Sequence, residues 1–313
     1  MTAAIEVEKL VKSYGTVQAV AGIDFSVEVG EVFAFLGPNG AGKTTTVEIL
    51  EGIRPTTSGQ VRVLGQDPWK HGRNLQRQIG VIPQDFHFFP KLSPREAIEL
   101  YAGLFAVPAH AKELLQRVEL DDKSEALFDT LSGGQKQKLG LALALVNDPK
   151  VCFLDEPTTG LDPRARRAIW AVIRSLKAEG RTVFLTTHYL EEAELLADRI
   201  AIINLGRIIA SGTPPDIIRR YGRPERLHIV GDPALADPLR HQVNLPVEVQ
   251  DGAISVELHS KGDALKVLSW VEASGYSYTS FSTAQDTLED VFIRLVGASD
   301  HSALDLAPEA DHA

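Results

Sequence analysis

Cysteine is almost missing from this chain of 313 residues. Its one thiol, Cys152, permits no internal disulfide, which fits a reducing compartment. The apolar neighbours of Cys152 make it a small core residue and not a reactive group. Long apolar runs are missing as well: no stretch approaches the roughly 18 residues that span a bilayer, so membrane work would go through a partner. The opening residues, Met1-Thr2-Ala3-Ala4-Ile5-Glu6, lack the basic-then-apolar layout of a signal peptide. Positive charge is nowhere in excess. The net charge of −10 divides into −1 up to Gly222 and −9 beyond it, so no basic face is available for wrapping nucleic acid. What is plentiful is apolar content, 44% of the residues, enough for one large domain plus a smaller one.

The most specific stretch is Gly37-Pro38-Asn39-Gly40-Ala41-Gly42-Lys43-Thr44-Thr45, which fits the phosphate-loop pattern GxxxxGK[ST]. Residues 31–36 before it form a short apolar run suited to a buried strand, and residues 45–51 after it have helical apolar spacing. That context is required, because the motif works as a turn between strand and helix. Glycines let backbone N–H groups close around phosphate oxygens, and the helix N-terminus adds the positive end of its dipole. Lys43 is placed to reach the β- and γ-phosphates and Thr44 to set its hydroxyl on Mg²⁺.

Around this loop, strands alternate with helices. Residues 5–10, 19–29, 60–65, 79–84, 150–156 and 182–187 read as strands, and residues 199–210 as a hairpin around Gly206. Ser93 with Pro94 and Glu96 opens a helix through a capping box, with helical spacing continuing to about Leu120. Ser132 caps a helix that is apolar all round from Leu139 to Val146, and Asp162-Pro163 opens another that runs to about Ala178. This alternation predicts an α/β fold on a parallel sheet, whose ligands bind outside the carboxyl ends of the strands. The phosphate loop, Asp155-Glu156 and His188 all follow strands directly, at that one edge.

The chemistry of these residues is complementary. Asp155 closes an apolar strand, and a buried carboxylate needs a partner; a Mg²⁺ shared with Thr44 supplies one. Glu156 points elsewhere and is placed to polarise a water for attack on a γ-phosphate. Gln84 offers an amide oxygen to the same metal or water. His188 is placed to contact the γ-phosphate and hold the water in line. Tyr14 stands in a turn after the first strand, where local sequence supports an ordinary surface tyrosine as readily as a ring stacked on adenine. The connection holding Phe86, Phe88 and Phe89 is dense in aromatics, suited either to a partner groove or to a local hydrophobic cluster.

Taken together, these motifs resemble the ATP-binding subunit of an ABC transporter over residues 5 to about 220. Residues 37–44 match Walker A and Gln84 the Q-loop. Leu131-Ser132-Gly133-Gly134-Gln135 matches the LSGGQ signature, residues 151–156 match Walker B, Gly160-Leu161-Asp162 the D-loop and His188 the H-loop. The resemblance implies a P-loop ABC ATPase domain with a mixed sheet core, a helical signature subdomain and an antiparallel β part. It also implies that Tyr14 stacks on the adenine, and that ATP and Mg²⁺ are the cofactors. The implied partners are a second ATP-binding subunit, as a head-to-tail homodimer, and a separate transmembrane permease. Each ATP would then touch Walker A of one copy and Ser132, Gly133, Gly134 and Gln135 of the other, with Asp162 across the interface. The expected location is peripheral, at the cytoplasmic face of the cell membrane. Lys138 departs from the arginine that many members carry three residues after the signature glutamine, trading a bidentate fork for a point charge.

Beyond residue 222 the order reads strand, helix, two strands, helix, strand, a ferredoxin-like α+β domain over residues 223–297 that ends in an amphipathic helix around residues 286–295. Residues 298–313 read as a disordered tail. An accessory domain ending in Thr287-Leu288-Glu289-Asp290-Val291-Phe292 resembles exporter-type subunits associated with drug and antibiotic efflux, and the cargo would be a drug, antibiotic or lipid-like molecule. The alternative is an importer ATPase whose accessory domain binds a regulatory metabolite. A DNA-repair or ribosome-associated ABC protein is disfavoured by one cassette and one cysteine.

Overall fold

The computed structural model describes residues 3–84, 86–250 and 253–304. In chain order the elements are β1 (Ala3–Tyr14), β2 (Val17–Glu28), β3 (Val32–Leu36), α1 (Lys43–Leu50), β4 (Ser58–Val63), α2 (Gly72–Leu75), β5 (Ile79–Ile82), α3 (Pro94–Phe105) and α4 (Ala111–Arg117). There follow α5 (Gly133–Ala144), β6 (Val151–Asp155), α6 (Pro163–Ala178), β7 (Thr182–Thr187), α7 (Leu190–Leu196), β8 (Arg199–Asn204) and β9 (Arg207–Gly212). The chain continues through α8 (Pro214–Tyr221), β10 (Arg226–Gly231), α9 (Ala236–Val243), β11 (Val247–Gln250), β12 (Ala253–Glu257), α10 (Lys261–Ser274), β13 (Tyr278–Ala284) and α11 (Leu288–Leu304).

A six-stranded sheet in the order β5-β6-β7-β3-β8-β9 is parallel except for the antiparallel β8–β9 hairpin. Its central strands are buried on both faces, which is why β3 and β6 read as unbroken apolar runs. The two-residue period still sorts their side chains. Phe33, Phe35, Phe153 and Phe184 face one core, shared with α1 and the antiparallel sheet β2-β1-β4. Val32, Leu154, Val183 and Leu185 face the other, under α3 to α7. On the first side Phe25 reaches in from β2, with ring centroids 5.6 Å from both Phe33 and Phe35, an aromatic wedge beneath the strand that delivers the phosphate loop.

The capping box of α3 forms as its sequence predicts, Ser93 and Glu96 serving each other's backbone N–H groups. The helical spacing expected to continue to Leu120 is interrupted instead: Ala106 takes a left-handed conformation and Pro108 follows, so the segment splits into α3 and α4. Phe86 and Phe88 belong to a local cluster, with Phe128 5.8 and 6.1 Å away, and both pack on the core under the helices. Phe86 also fills the space over Gly140, where a Cβ would press on its ring at 3.2 Å. Phe89 alone of that run is largely exposed, at 62%. Cys152 is buried, its thiol pushed up to about 12 by burial, so it is unreactive.

The chain divides into two compact units, Pro215–Leu295 forming the second. The division therefore falls eight residues before the boundary expected at 222/223 and assigns most of α8, absent from the sequence reading, to the second unit. That unit carries a four-stranded antiparallel sheet in the order β11-β12-β10-β13, with its own core of Leu227, Ile229, Ile254, Val256 and the α9 and α10 residues Leu239, Val267 and Val271. Helix α11 runs to Leu304, past the point at which a tail was expected, and residues 305–313 lie outside the described residues.

Candidate active site

Gly37 follows the buried β3 directly, and a side chain there would collide with the Ile203 carbonyl on the neighbouring β8. Gly42 has φ +106 and lies against the Ala19 carbonyl, so both steric room and backbone conformation demand glycine. Gly42 is also the N-cap of α1. It supplies no side-chain acceptor, and the first turn contains no acidic residue. The N–H groups there consequently lack an anionic partner, an arrangement suited to phosphate. Lys43 is only 6% exposed and curls back, its Nζ donating to the carbonyls of Gly37 at 2.8 Å and Pro38 at 3.2 Å. Burial lowers its pKa, an effect opposed by the charges of Glu156 and Asp155. Asn39, Gly40 and Thr44 are exposed, Pro38 and Thr45 half-buried, and Ala41 is buried against the core.

At the end of β6, Asp155 pairs in register with Thr186 of β7, whose hydroxyl donates to the Asp155 carboxylate. Burial raises the Asp155 pKa, the Thr186 bond lowers it and neighbouring Glu156 raises it again. Glu156, 7% exposed, sits at φ 48, a left-handed conformation that costs a non-glycine residue about 1 kcal/mol. Its N–H is held by the carbonyl and hydroxyl of Thr186, each at 3.1 Å. That twist aims the side chain away from Asp155's, and three groups meet its Oε2: Gln84 Nε2 at 3.1 Å, Thr159 Oγ1 at 3.1 Å and His188 Nδ1 at 3.2 Å. Three polar partners on one oxygen fix the direction of the carboxylate. His188 also packs on Tyr189, ring centroids 4.3 Å apart.

The described residues contain no group of three or more His, Cys, Asp or Glu side chains able to hold a metal. Oxygens that could serve a metal here are the Thr44 hydroxyl, the Asp155 carboxylate and the Gln84 amide oxygen, left over once its nitrogen is engaged with Glu156. Few protein ligands, all hard oxygens, suit a Mg²⁺ that keeps its waters and leans on phosphate, so the residues fit that ion.

Tyr14, at the end of β1, is exposed and has Lys12 Nζ 5.1 Å and Arg54 Cζ 5.7 Å from its ring centroid. Ser132 and Gln135 form a reciprocal capping box at α5, which engages the Gln135 side chain within its own chain. Asp162 caps α6 by accepting from the N–H groups of Arg164 and Ala165, both at 2.9 Å. Lys138 bonds Glu119, carbonyl and carboxylate alike at 3.3 Å. The structure thus gathers Gln84, Asp155, Glu156 and His188 on one edge. A Cβ at Gly134 would meet Ala165 at 3.0 Å and Leu161 at 3.8 Å.

Two site residues escaped the sequence reading. Thr159 lies three residues past Glu156, a spacing that a turn after the strand could have flagged. Thr186 is hidden in an apolar strand and needed the β6–β7 register to be seen.

Glu51, buried at the end of α1, provides a pH test of this region. Burial, then the Asp155 and Glu48 charges, push it up to about 8 from 4.5. The folded chain therefore holds a proton that the unfolded chain has lost, and the resulting stability is complete below about pH 4.5 and disappears as the pH rises toward 8. Glu51→Gln is expected to melt at nearly the wild-type temperature near pH 4.5 and to exceed wild type at pH 8.5 by a few kcal/mol, on the order set by one pKa unit each. Thermal melts at the two pH values check this, and equal differences at both would contradict it.

Comparison with known proteins places the chain in a family. A sequence family described as ABC transporter matches residues 20–159. The Nod factor export ATP-binding protein I of Paraburkholderia xenovorans (strain LB400) is 44% identical over 244 residues, covering 76% of this chain and 80% of that one. The protein of the same name from Burkholderia lata is 38% identical over 304 residues, covering 94% and 97%. A solved ATP-binding subunit of an ABC transporter superposes with a TM-score of 0.64 at 30% identity, over 70% of this chain and 93% of that one. A dimeric ATP-binding cassette in a post-hydrolysis state with ADP and Pi superposes at 0.61 and 25% identity, over 67% and 98%. The chain belongs to the ABC transporter family, as an ATP-binding subunit that hydrolyses ATP.

Proposed function

We propose that this ATPase powers export through a separate membrane permease, working as a head-to-tail homodimer peripheral to the cytoplasmic face of the cell membrane. The convergence of Gln84, Thr159 and His188 on one oxygen of Glu156, beside the phosphate loop, carries the reading. Lys43 and the loop N–H groups hold the β- and γ-phosphates, and Tyr14 stacks on the base. Thr44, Asp155 and Gln84 would hold Mg²⁺, which when bound would neutralise phosphate charge. Glu156 takes the proton of the attacking water while His188 and Gln84 keep that oxygen aimed. Ser132, Gly133 and Gly134 of the second copy close the site from the other side, with Asp162 at the seam. The ATP-binding domain is taken as residues 1–222 and the accessory domain as 223–297. No helix among the described residues is long and apolar enough to cross a membrane, in keeping with a separate permease.

Export is supported by the names of the relatives, and a Nod factor is the first cargo to try. Inverted membrane vesicles that carry the chain and its permease, given ATP from outside, are expected to accumulate the cargo. Depletion of preloaded cargo would instead indicate import.

A further inference from the structure

Glu192 lies on α7, four residues past His188, and is fully buried. Buried carboxyl oxygens ordinarily both have partners. Here Oε1 accepts from Trp170 Nε1 of α6 at 2.7 Å, whereas Oε2 has none. Two more buried orphans belong to the residues around this carboxyl, the Thr158 hydroxyl and Arg166 Nε. The Thr187 and Thr158 hydroxyls and the Arg166 guanidinium all steady its charged form, while burial opposes it more strongly and raises its pKa. Thr158 lies against the carboxyl without completing a hydrogen bond of normal geometry. Arg166 in turn lies 4.3 Å from the centre of the Tyr189 ring, which packs on His188.

Three segments therefore meet at one side chain. Thr158 precedes Thr159, which donates to Glu156. Trp170 and Arg166 belong to α6, the helix that Asp162 caps. Thr187 precedes His188. We propose that Glu192 is a positioning residue that couples the Asp162 helix and the Thr158–Thr159 turn to the His188 segment, so that His188 and Thr159 hold Glu156 together. This inference rests on Glu156 being the base. A protonated carboxyl supplies a donor at Oε2 for the orphaned hydroxyl, glutamine does so through its amide, and alanine does not.

The test is steady-state ATPase of the full chain, with thermal melts in parallel. Glu192→Ala is expected to lower kcat about tenfold while KM for ATP changes by less than about twofold. Glu192→Gln recovers most of the loss. The double variant His188→Ala with Glu192→Ala should lose clearly less than the product of the two single losses, because both changes loosen the same hold on Glu156. Losses that multiply, or a glutamine variant as slow as alanine, would overturn the coupling. Should Glu192→Ala not fold, Thr158→Val takes its place: a kcat loss of about threefold or more, not additive with His188→Ala, supports the inference, and additivity or wild-type kcat refutes it. Wild-type turnover in Glu192→Ala beside an inactive Glu156→Gln would remove only the coupling. An active Glu156→Gln would instead remove the reading of the site itself.

Discussion

Glu156→Gln is expected to lower ATP turnover about a thousandfold while nucleotide binding persists, the range a general base contributes. The substitution keeps the size of the side chain, and its backbone at φ 48 is set by Thr186, which the change does not touch. The amide oxygen can still accept from Gln84 and Thr159, so the edge of the sheet stays assembled. What is lost is basicity, because an amide cannot take the water's proton. Lys43 and the phosphate loop are unaltered, so ATP should bind with close to wild-type affinity. With hydrolysis stopped, the ATP-bound state accumulates, and size exclusion with ATP should show a dimer that ADP does not support. Single-turnover phosphate release and nucleotide titration check the two halves separately. Turnover near wild type would sink the assignment of the base.

The second large effect concerns the signature. Gly133 opens α5, and a Cβ there would meet nothing within 4 Å in its own chain. Its φ is not in the left-handed range that would demand glycine either. The fold of this chain therefore gives no reason for glycine at that position, where alanine would favour the helix by up to about 1 kcal/mol. The proposed dimer supplies a reason from outside: a phosphate held against the helix end by a second copy. Gly133→Asp should leave the fold intact or steadier, since a carboxylate at a helix N-terminus is favourable by about 0.3–1 kcal/mol. Its ATPase activity should nevertheless fall about a hundredfold, as the charge repels the γ-phosphate brought by the partner. Nucleotide affinity of the isolated subunit should hardly change. Mixing it with Lys43→Ala subunits sharpens the test. Each mixed dimer would contain one site spoiled twice and one intact, so partial activity should return. A Gly133→Asp subunit with wild-type turnover would argue against shared sites.

The helix starts were legible because their determinants are local. Ser93, Ser132 and Asp162 cap the helices that their sequences announce, a matter of residues within one turn. The phosphate loop was legible for the same reason. The break between α3 and α4 was not, because the apolar spacing runs on through it while a single left-handed residue before Pro108 redirects the chain. Phe86 and Phe88 showed why composition alone leaves a loop undecided: whether an aromatic is free for a partner depends on Gly140 and Phe128, which lie far away in sequence.

The sequence by itself determined the class of site: which strand ends carry a phosphate loop, a pair of carboxylates and a histidine, and that they share the carboxyl edge of one sheet. Sheet edges follow from alternation and connectivity, which are one-dimensional properties. Only the tertiary structure decided how those groups address one another. Asp155 and Glu156 are adjacent in sequence yet differently held, because β6 pairs with β7 in a register that gives Thr186 to the backbone of one and the carboxylate of the other. Three polar groups, the amide of Gln84 and the ring of His188 from distant segments and the hydroxyl of nearby Thr159, meet at a single oxygen of Glu156, and a buried carboxyl on α7 keeps one oxygen unpartnered. Hydrogen-bond direction and strand register are properties of close packing between segments, and no local pattern encodes them.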